Sequence, residues 1–164
     1  MPAYTIRLFA PTDLARLCEI TVATFGPVSI DRLLEERYGA FGTRNWEERK
    51  AAAIEADCQL QPDGAFVAAD VEDRPIGYVT TRLFADSGIG WIPNIAVDIG
   101  WQGHGVGRAL LEHALAFMRA RGMEVATIET LAHNEVGNHL YPAVGFEEIV
   151  RQVRFAMRLD EAHG

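Results

Sequence analysis

The chain is short of basic residues, and of lysine in particular. Fifteen Lys and Arg face 23 Asp and Glu, only Lys50 is a lysine, and the formal net charge is −8. A nucleic-acid partner would want a basic face, so none is expected. The acidity suits a cationic acceptor such as an amine, although acidic proteins are common. Cysteine is scarce too. Cys18 and Cys58 are the only two and neither has a CxxC partner, so buried structural thiols are expected rather than a disulfide or a reactive thiol. No apolar run reaches the roughly 20 residues of a membrane helix, and MPAYTIRLFAPTD lacks a basic leader followed by an apolar block. Cytoplasmic residence without a membrane partner is the expectation. The histidines (His104, His113, His133, His139, His163) show no H-x-x-x-H or H-E-x-x-H spacing, which argues against a metal. No repeat, low-complexity tract or linker breaks the 164 residues, so residues 1–164 are expected to form one domain.

What is present is an alternation of helical and strand patterns. Residues 4–9 alternate like a strand. Pro11-Thr12-Asp13 then opens a helix whose apolar positions Leu14, Leu17, Cys18, Val22 and Phe25 recur at three- and four-residue steps, until Gly26-Pro27 stops it. A short helix near Ile30–Tyr38 and a helix from Trp46 to about Ala56, capped by Asn45, follow. Ala65–Val71 and Ile76–Phe84 flank the turn Glu72-Asp73-Arg74-Pro75. A third strand, Ile89–Val97, contains Pro93, which cannot donate to a ladder, so one side of it should be unpaired or splayed. A long helix to about Arg121, a strand at Glu124–Leu131, a helix from Asn134 to about Val144 and two last strands, Glu147–Arg151 and Val153–Leu159, complete the order. The class is α/β of the α+β kind: a mixed, mostly antiparallel sheet flanked by helices.

Trp101-Gln102-Gly103-His104-Gly105-Val106-Gly107-Arg108 joins the third strand to the long helix. Glycines strip side chains from the turn and allow positive φ, so successive N–H groups can converge on one point. The helix N-terminus adds partial positive charge and unpaired donors, which together hold a phosphate without lysine. The G-x-G-x-G spacing fails the dinucleotide fingerprint, and no G-K-[S/T] follows. Further along, Asn134, Asn138 and Tyr141 are four and three residues apart and share one helix face, opposite apolar Val136, Leu140 and Val144.

Gln102-x-x-Gly105-x-Gly107 resembles the Q/R-x-x-G-x-G/A signature of the GNAT superfamily of N-acetyltransferases. Asn134 through Phe146 is similar to that family's N-x-x-A-x-x-L-Y-x-x-x-G-F, with Gly137 where alanine is usual. Ile128-Glu129-Thr130-Leu131-Ala132-His133-Asn134, together with Asn94–Asp98, resembles the ribosomal-protein alanine N-acetyltransferase branch, whose strand L-E-V-x-x-x-N carries a glutamate twelve residues before the tyrosine. The resemblance covers about Ile89 to Leu159. It implies the GNAT fold, with a central parallel strand pair splayed around acetyl-CoA. It also implies that the backbone of Gln102, Gly103, His104, Gly105, Val106, Gly107 and Arg108 binds the pyrophosphate. Ile95, Ala96 and Val97 would meet the pantetheine arm from one wall, with Asn134, Asn138 and Tyr141 on the other.

Acetyl transfer needs an uncharged amine, a polarised carbonyl and a proton for the leaving thiolate. An alkyl ammonium has a pKa of about 10, so a base must deprotonate it. Glu129 is the first candidate, with His133, His139 or a water as alternatives; Tyr141 is the candidate acid. The acceptor is expected to be a primary amine, either a protein N-terminus or a small molecule such as a polyamine, amino acid or aminoglycoside. Aromatic residues between Phe25 and Trp46 are candidates for lining its pocket. Homodimerisation stays open. A non-catalytic acyl-CoA sensor is the competing reading, and an oxidoreductase is disfavoured by the failed fingerprint.

Overall fold

Strand β2, Phe66–Asp70, is buried along its whole length. A strand with no solvated face must be covered on both sides, and in this computed structural model, which describes residues 2–159, helices cover both. The sheet has five strands in sequential order: β1 (Tyr4–Leu8), β2, β3 (Pro75–Phe84), β4 (Ile89–Val97) and β5 (Val125–Ile128). The first three pairings are antiparallel, and β4 with β5 is parallel.

One face of the sheet carries Phe66, Ala68, Ile76, Val79 and Ile92 against Val106, Leu110, Leu111, Ala114 and Met118 of helix α4, Val106–Ala120. On the other face Val67, Tyr78 and Ala96 meet Leu17 and Ile20 of α1 (Leu14–Phe25) and Ile54 and Cys58 of α3 (Trp46–Leu60). The alternation of β2 therefore divides its side chains between two cores. Between α1 and α3 runs α2, Ile30–Tyr38, started by Ser29, whose hydroxyl oxygen accepts from the Arg32 N–H. Asn45 caps α3 as its sequence suggests, in a reciprocal pair with Glu48 at 2.8 Å in both directions. The last helix, α5, spans Glu135–Val144 and ends at Gly145 with φ +119.

Four elements depart from the sequence reading. Helix α3 continues to Leu60 instead of Ala56, because Asp57-Cys58-Gln59-Leu60 adds one further turn that buries Cys58. Strand β5 stops at Ile128, three residues before Leu131. The two strands expected over 147–159 are not formed: those residues are irregular and exposed. Their alternating pattern offers only one apolar face, and a strand of that kind gains little until another layer covers it. As a result the parallel pair lies at the edge of the described sheet.

Candidate functional site

Between β4 and α4 the chain makes a 3-10 turn, Ile99–Trp101, fastened by the Asp98 carboxylate, which accepts from the Gly100 N–H at 2.9 Å. The same carboxylate pairs with the Arg16 guanidinium of α1. Gln102 turns back and donates from Nε2 to the Val97 carbonyl at 3.2 Å, so its side chain ties the loop to the end of β4. His104 is exposed, with Nδ1 3.1 Å from the Gln102 carbonyl oxygen.

Gly103 and Gly105 have φ of +79 and +81, and an added Cβ at either would meet nothing within 4 Å. Glycine is required there for backbone conformation, while the space above stays open. Gly105 is the N-cap of α4, and no side chain caps the first turn. Its N–H groups are therefore left with donor capacity at the positive end of the helix. Gly107 has a different reason: a Cβ there would stand 3.2 Å from Leu140 Cδ2 of α5 and 3.6 Å from Val97 of β4. It is the contact at which α4, α5 and β4 converge. Arg108 is paired with Glu112 at 2.9 Å on the exposed face of α4.

Strands β4 and β5 pair only from Ile89↔Val125 to Ile92↔Ile128. From Pro93 to Val97 the β5-facing side of β4 has no strand neighbour, which agrees with the splay expected from the proline. On the β3 side the register jumps between Thr80↔Asn94 and Arg82↔Trp91, a bulge that re-aims the strand. Asn94 is buried and donates from Nδ2 to Asp57 at 2.7 Å and to Thr80 Oγ1 at 3.0 Å. These bonds anchor β4 to α3 where it has lost its other neighbour. Ile95 and Val97 pack toward the α4 core, and Ala96 toward the α1 core.

Across the splay stands α5. Asn134 is its N-cap: Oδ1 accepts from the Gly137 N–H at 3.3 Å and Nδ2 donates to Thr130 Oγ1 at 2.8 Å. Asn138 Nδ2 donates to the Ala132 carbonyl at 2.8 Å. Both amides therefore organise the loop that leads from β5 into the helix. Gly137 is buried, and a Cβ on it would lie 3.0 Å from each of Asn134 Nδ2, Thr130 Oγ1 and Tyr141 Cε2, which accounts for a glycine inside this helix. Tyr141 packs its ring edge-on to Phe146, centroids 6.2 Å apart, and burial pushes its phenol up to about 12. Glu129 follows β5 directly and is exposed. His133 Nε2 lies 3.1 Å from the Pro27 carbonyl oxygen, which joins this loop to the connection between α1 and α2.

The site thus gathers the glycine loop, the free side of β4 and the Asn134–Tyr141 turn of α5 at one end of the sheet. Arg16, Asp57 and Thr130 also take part, and sequence reading missed all three. Their partners lie on other elements or, for Thr130, in a loop whose shape depends on Asn134. A groove of ≈ 520 Å³ between α1 and α3, lined by Cys18, Glu19, Glu47 and Glu48 among others, shares no residue with this end. Among the described residues no cluster of His, Cys, Asp and Glu is placed to hold a metal, and no helix is long and apolar enough to cross a membrane.

The chain is 31% identical over 119 residues to ribosomal protein bS18-alanine N-acetyltransferase of Escherichia coli (strain K12), covering 70% of this chain and 71% of that one. It is 30% identical over 118 residues to the mycothiol acetyltransferase of Rhodococcus jostii (strain RHA1), covering 68% of this chain and 39% of that enzyme. It spans less than half the length of several such curated relatives. Among solved structures, the Escherichia coli ribosomal-protein-S18-alanine N-acetyltransferase superposes with a TM-score of 0.63 at 25% identity, covering 90% and 80% of the two chains. The PaiA N-acetyltransferase of Thermoplasma acidophilum, in complex with coenzyme A, shares the fold with a TM-score of 0.70 at 17% identity, covering 88% and 90%. The model of the acetyltransferase (GNAT) family matches residues 29–146, starting well before Ile89, and this chain belongs to that family.

Proposed function

We propose that the chain is an N-acetyltransferase that moves an acetyl group from acetyl-CoA to a primary amine by direct attack, acting in the cytoplasm. The observation that carries the reading is the uncapped, glycine-opened N-terminus of α4 beside the free side of β4, with the Tyr141 phenol on the facing helix. The first of these offers backbone donors to a pyrophosphate. The second offers main-chain groups to an amide-bearing arm and to the carbonyl oxygen on which charge develops.

In this scheme the amine nitrogen attacks the thioester carbonyl carbon, the C–S bond breaks and the sulfur leaves as a thiolate. Glu129 takes the amine's proton, directly or through water, and Tyr141 gives its proton to the sulfur. Burial keeps Tyr141 protonated at neutral pH but makes it a weaker acid than a free phenol, whose pKa is about 10. Donation to sulfur is therefore coupled to C–S cleavage and to the amine's loss of a proton, not a separate earlier step. Glu129 is exposed, which suits a base that meets an incoming amine. The acceptor is a protein N-terminus or a small-molecule amine. Among the relatives, one is a ribosomal-protein alanine N-acetyltransferase and others are mycothiol acetyltransferases, names that span protein and non-protein acceptors.

The test is thiol release from acetyl-CoA by the purified chain against a panel of peptides with free N-termini, polyamines, amino acids and aminoglycosides. Amine-dependent release with at least one class is expected. Tight acetyl-CoA binding without release for any amine would replace this reading with that of an acyl-CoA sensor.

A further inference from the structure

Lys50 is the only lysine of the chain, and it is half-buried on α3. Its ammonium lies 5.0 Å from the centre of the Phe25 ring. Among the described residues it makes no salt bridge and no hydrogen bond. The two carboxylates whose charges reach it are already engaged. Asp31 takes Arg49 at 3.2 Å, and Asp57 takes Asn94 at 2.7 Å and Arg82 at 3.4 Å. The aromatic face offsets part of the hydration that the cation has lost, but a desolvated charge still wants a counter-ion. Burial accordingly pulls the ammonium below its ordinary pKa, by more than Asp31 and Asp57 raise it.

The place of this cation in the fold gives it a use. Helix α4, whose N-terminus is the proposed pyrophosphate site, covers one face of the sheet, and α1 and α3 cover the other. On that second face Asp57 ties α3 to Asn94, at the start of the free stretch of β4. Lys50 and Asp57 are seven residues apart and so share one face of α3. Phe25 ends α1. Two residues on, the Pro27 carbonyl meets His133 in the loop that leads into α5. The connection after Phe25 is thus bonded to the far wall of the splay, and Lys50 sits against the residue from which it starts.

We propose that Lys50 reads a carboxylate on the acceptor, so that the preferred substrate is an amine that also carries an acid group. The inference rests on the acetyl-transfer reading above and narrows its acceptor. Lys50 on the α3 side and Glu129 after β5 carry opposite charges. Together they orient an acceptor that has an ammonium at one end and a carboxylate at the other, with the amine toward the thioester. A polyamine would set a second cation against Lys50 and is rejected by the same charge. The acid supplies the counter-ion that the fold leaves out.

The experiment is calorimetric binding of matched amines with coenzyme A present, which carries no acetyl group to transfer. Alanyl-aspartate is compared with alanyl-asparagine, and β-alanine with its amide, for the wild type, Lys50→Met and Lys50→Arg. In the wild type the acid of at least one pair should bind about ten- to hundredfold more tightly than its amide, the ratio for one hydrogen bond to a charged group. The pair that discriminates tells whether the acid comes on a peptide side chain or on a small amino acid. Lys50→Met should abolish that preference, and Lys50→Arg should keep most of it. Where transfer is followed, the preference should lie in KM and not in kcat. Equal binding of acid and amide by the wild type in both pairs overturns the proposal. A preference that survives Lys50→Met overturns it too, since another group would then read the acid. So does a loss shared equally by acid and amide, which would make Lys50 a structural group. Should Lys50→Met not fold, the wild type decides through pH: the preference must fade as Lys50 loses its proton on the way to the ordinary lysine value of about 10.5, and a constant preference overturns it. A chain that binds acids selectively but moves no acetyl group keeps this inference and loses the activity, while equal transfer to acids and amides does the reverse.

Discussion

At the residue scale the site separates groups that shape it from groups that can react. Asn134, Asn138 and Thr130 hold the loop and helix in place through bonds of 2.8–3.3 Å, and Gly137 leaves them room, since a Cβ there would stand 3.0 Å from its neighbours. Tyr141 is held by its ring, and among the described residues no hydrogen bond to its hydroxyl is present. Tyr141→Phe should therefore leave stability nearly unchanged. If the phenol protonates the leaving thiolate, turnover should fall about 10²–10⁴-fold, while acetyl-CoA affinity weakens by about 0.5–1.5 kcal/mol for one neutral hydrogen bond. Steady-state turnover and coenzyme affinity on the same variant decide it, and near-wild-type turnover would remove Tyr141 as the acid. Glu129→Gln should reduce turnover most at neutral pH and less at high pH, where more amine is already free. A loss equal at all pH values would make Glu129 a positioning group, leaving His133 or water as the base.

At the scale of elements, how much was legible depended on whether the signal was local. The cap at Asn45, the turn at Glu72–Pro75, the amphipathic run of α4 and the break at Pro93 each reside in a few adjacent residues, and each is found where the sequence places it. The glycine loop was legible as the turn that opens α4, but the roles of its glycines were not. Gly103 and Gly105 serve backbone conformation, whereas Gly107 is a packing position, visible only once α5 lies against α4. Asp57 behind Asn94 and Arg16 on Asp98 were invisible, because 37 and 82 residues separate the partners. Strand pattern alone misled at 147–159, where the apolar face has no partner within the described chain. The distinction among glycines changes which substitution tests the cradle. Gly107→Val would push on Leu140 and lose affinity through the fold. Gly105→Ala meets open space, and forcing a left-handed residue there costs roughly 1–2 kcal/mol. Acetyl-CoA affinity should fall at least tenfold with α4 retained by circular dichroism. An unchanged dissociation constant would remove the loop from coenzyme binding.

For the whole molecule, the buried ionisable groups set how stability responds to alkali. Tyr78 is fully enclosed between β3, α1 and α3, and burial raises its phenol well above the ordinary value, more than the hydrogen bond with Thr21 at 2.6 Å lowers it. Burial, with the nearby Asp57 charge, lifts the Cys58 thiol to about 12, and burial lifts Tyr141 to about 12. All three are neutral when protonated, and the folded state prefers that form. Each therefore contributes stability that is complete below its unfolded pKa, near 9 for the thiol and 10 for the phenols, and lost as pH rises through the folded value. Lys50 acts the other way. Its burial lowers the ammonium pKa, despite Asp31 and Asp57, so its contribution grows with pH until the unfolded lysine also loses its proton near 10.5. The net fall is expected above pH 10.5, at up to about 1.4 kcal/mol per pH unit for each group that the unfolded chain has ionised and the folded chain has not. Thermal unfolding followed from pH 8 to 11.5 should show a midpoint that is nearly level and then drops steeply. Tyr78→Phe should lower the midpoint at pH 8, because the Thr21 hydroxyl keeps its bond to the Leu17 carbonyl but loses the one to the phenol, and should make the alkaline drop shallower. A midpoint that stays level through pH 11.5 would mean these groups ionise without unfolding the chain, and that the core around Tyr78 admits water.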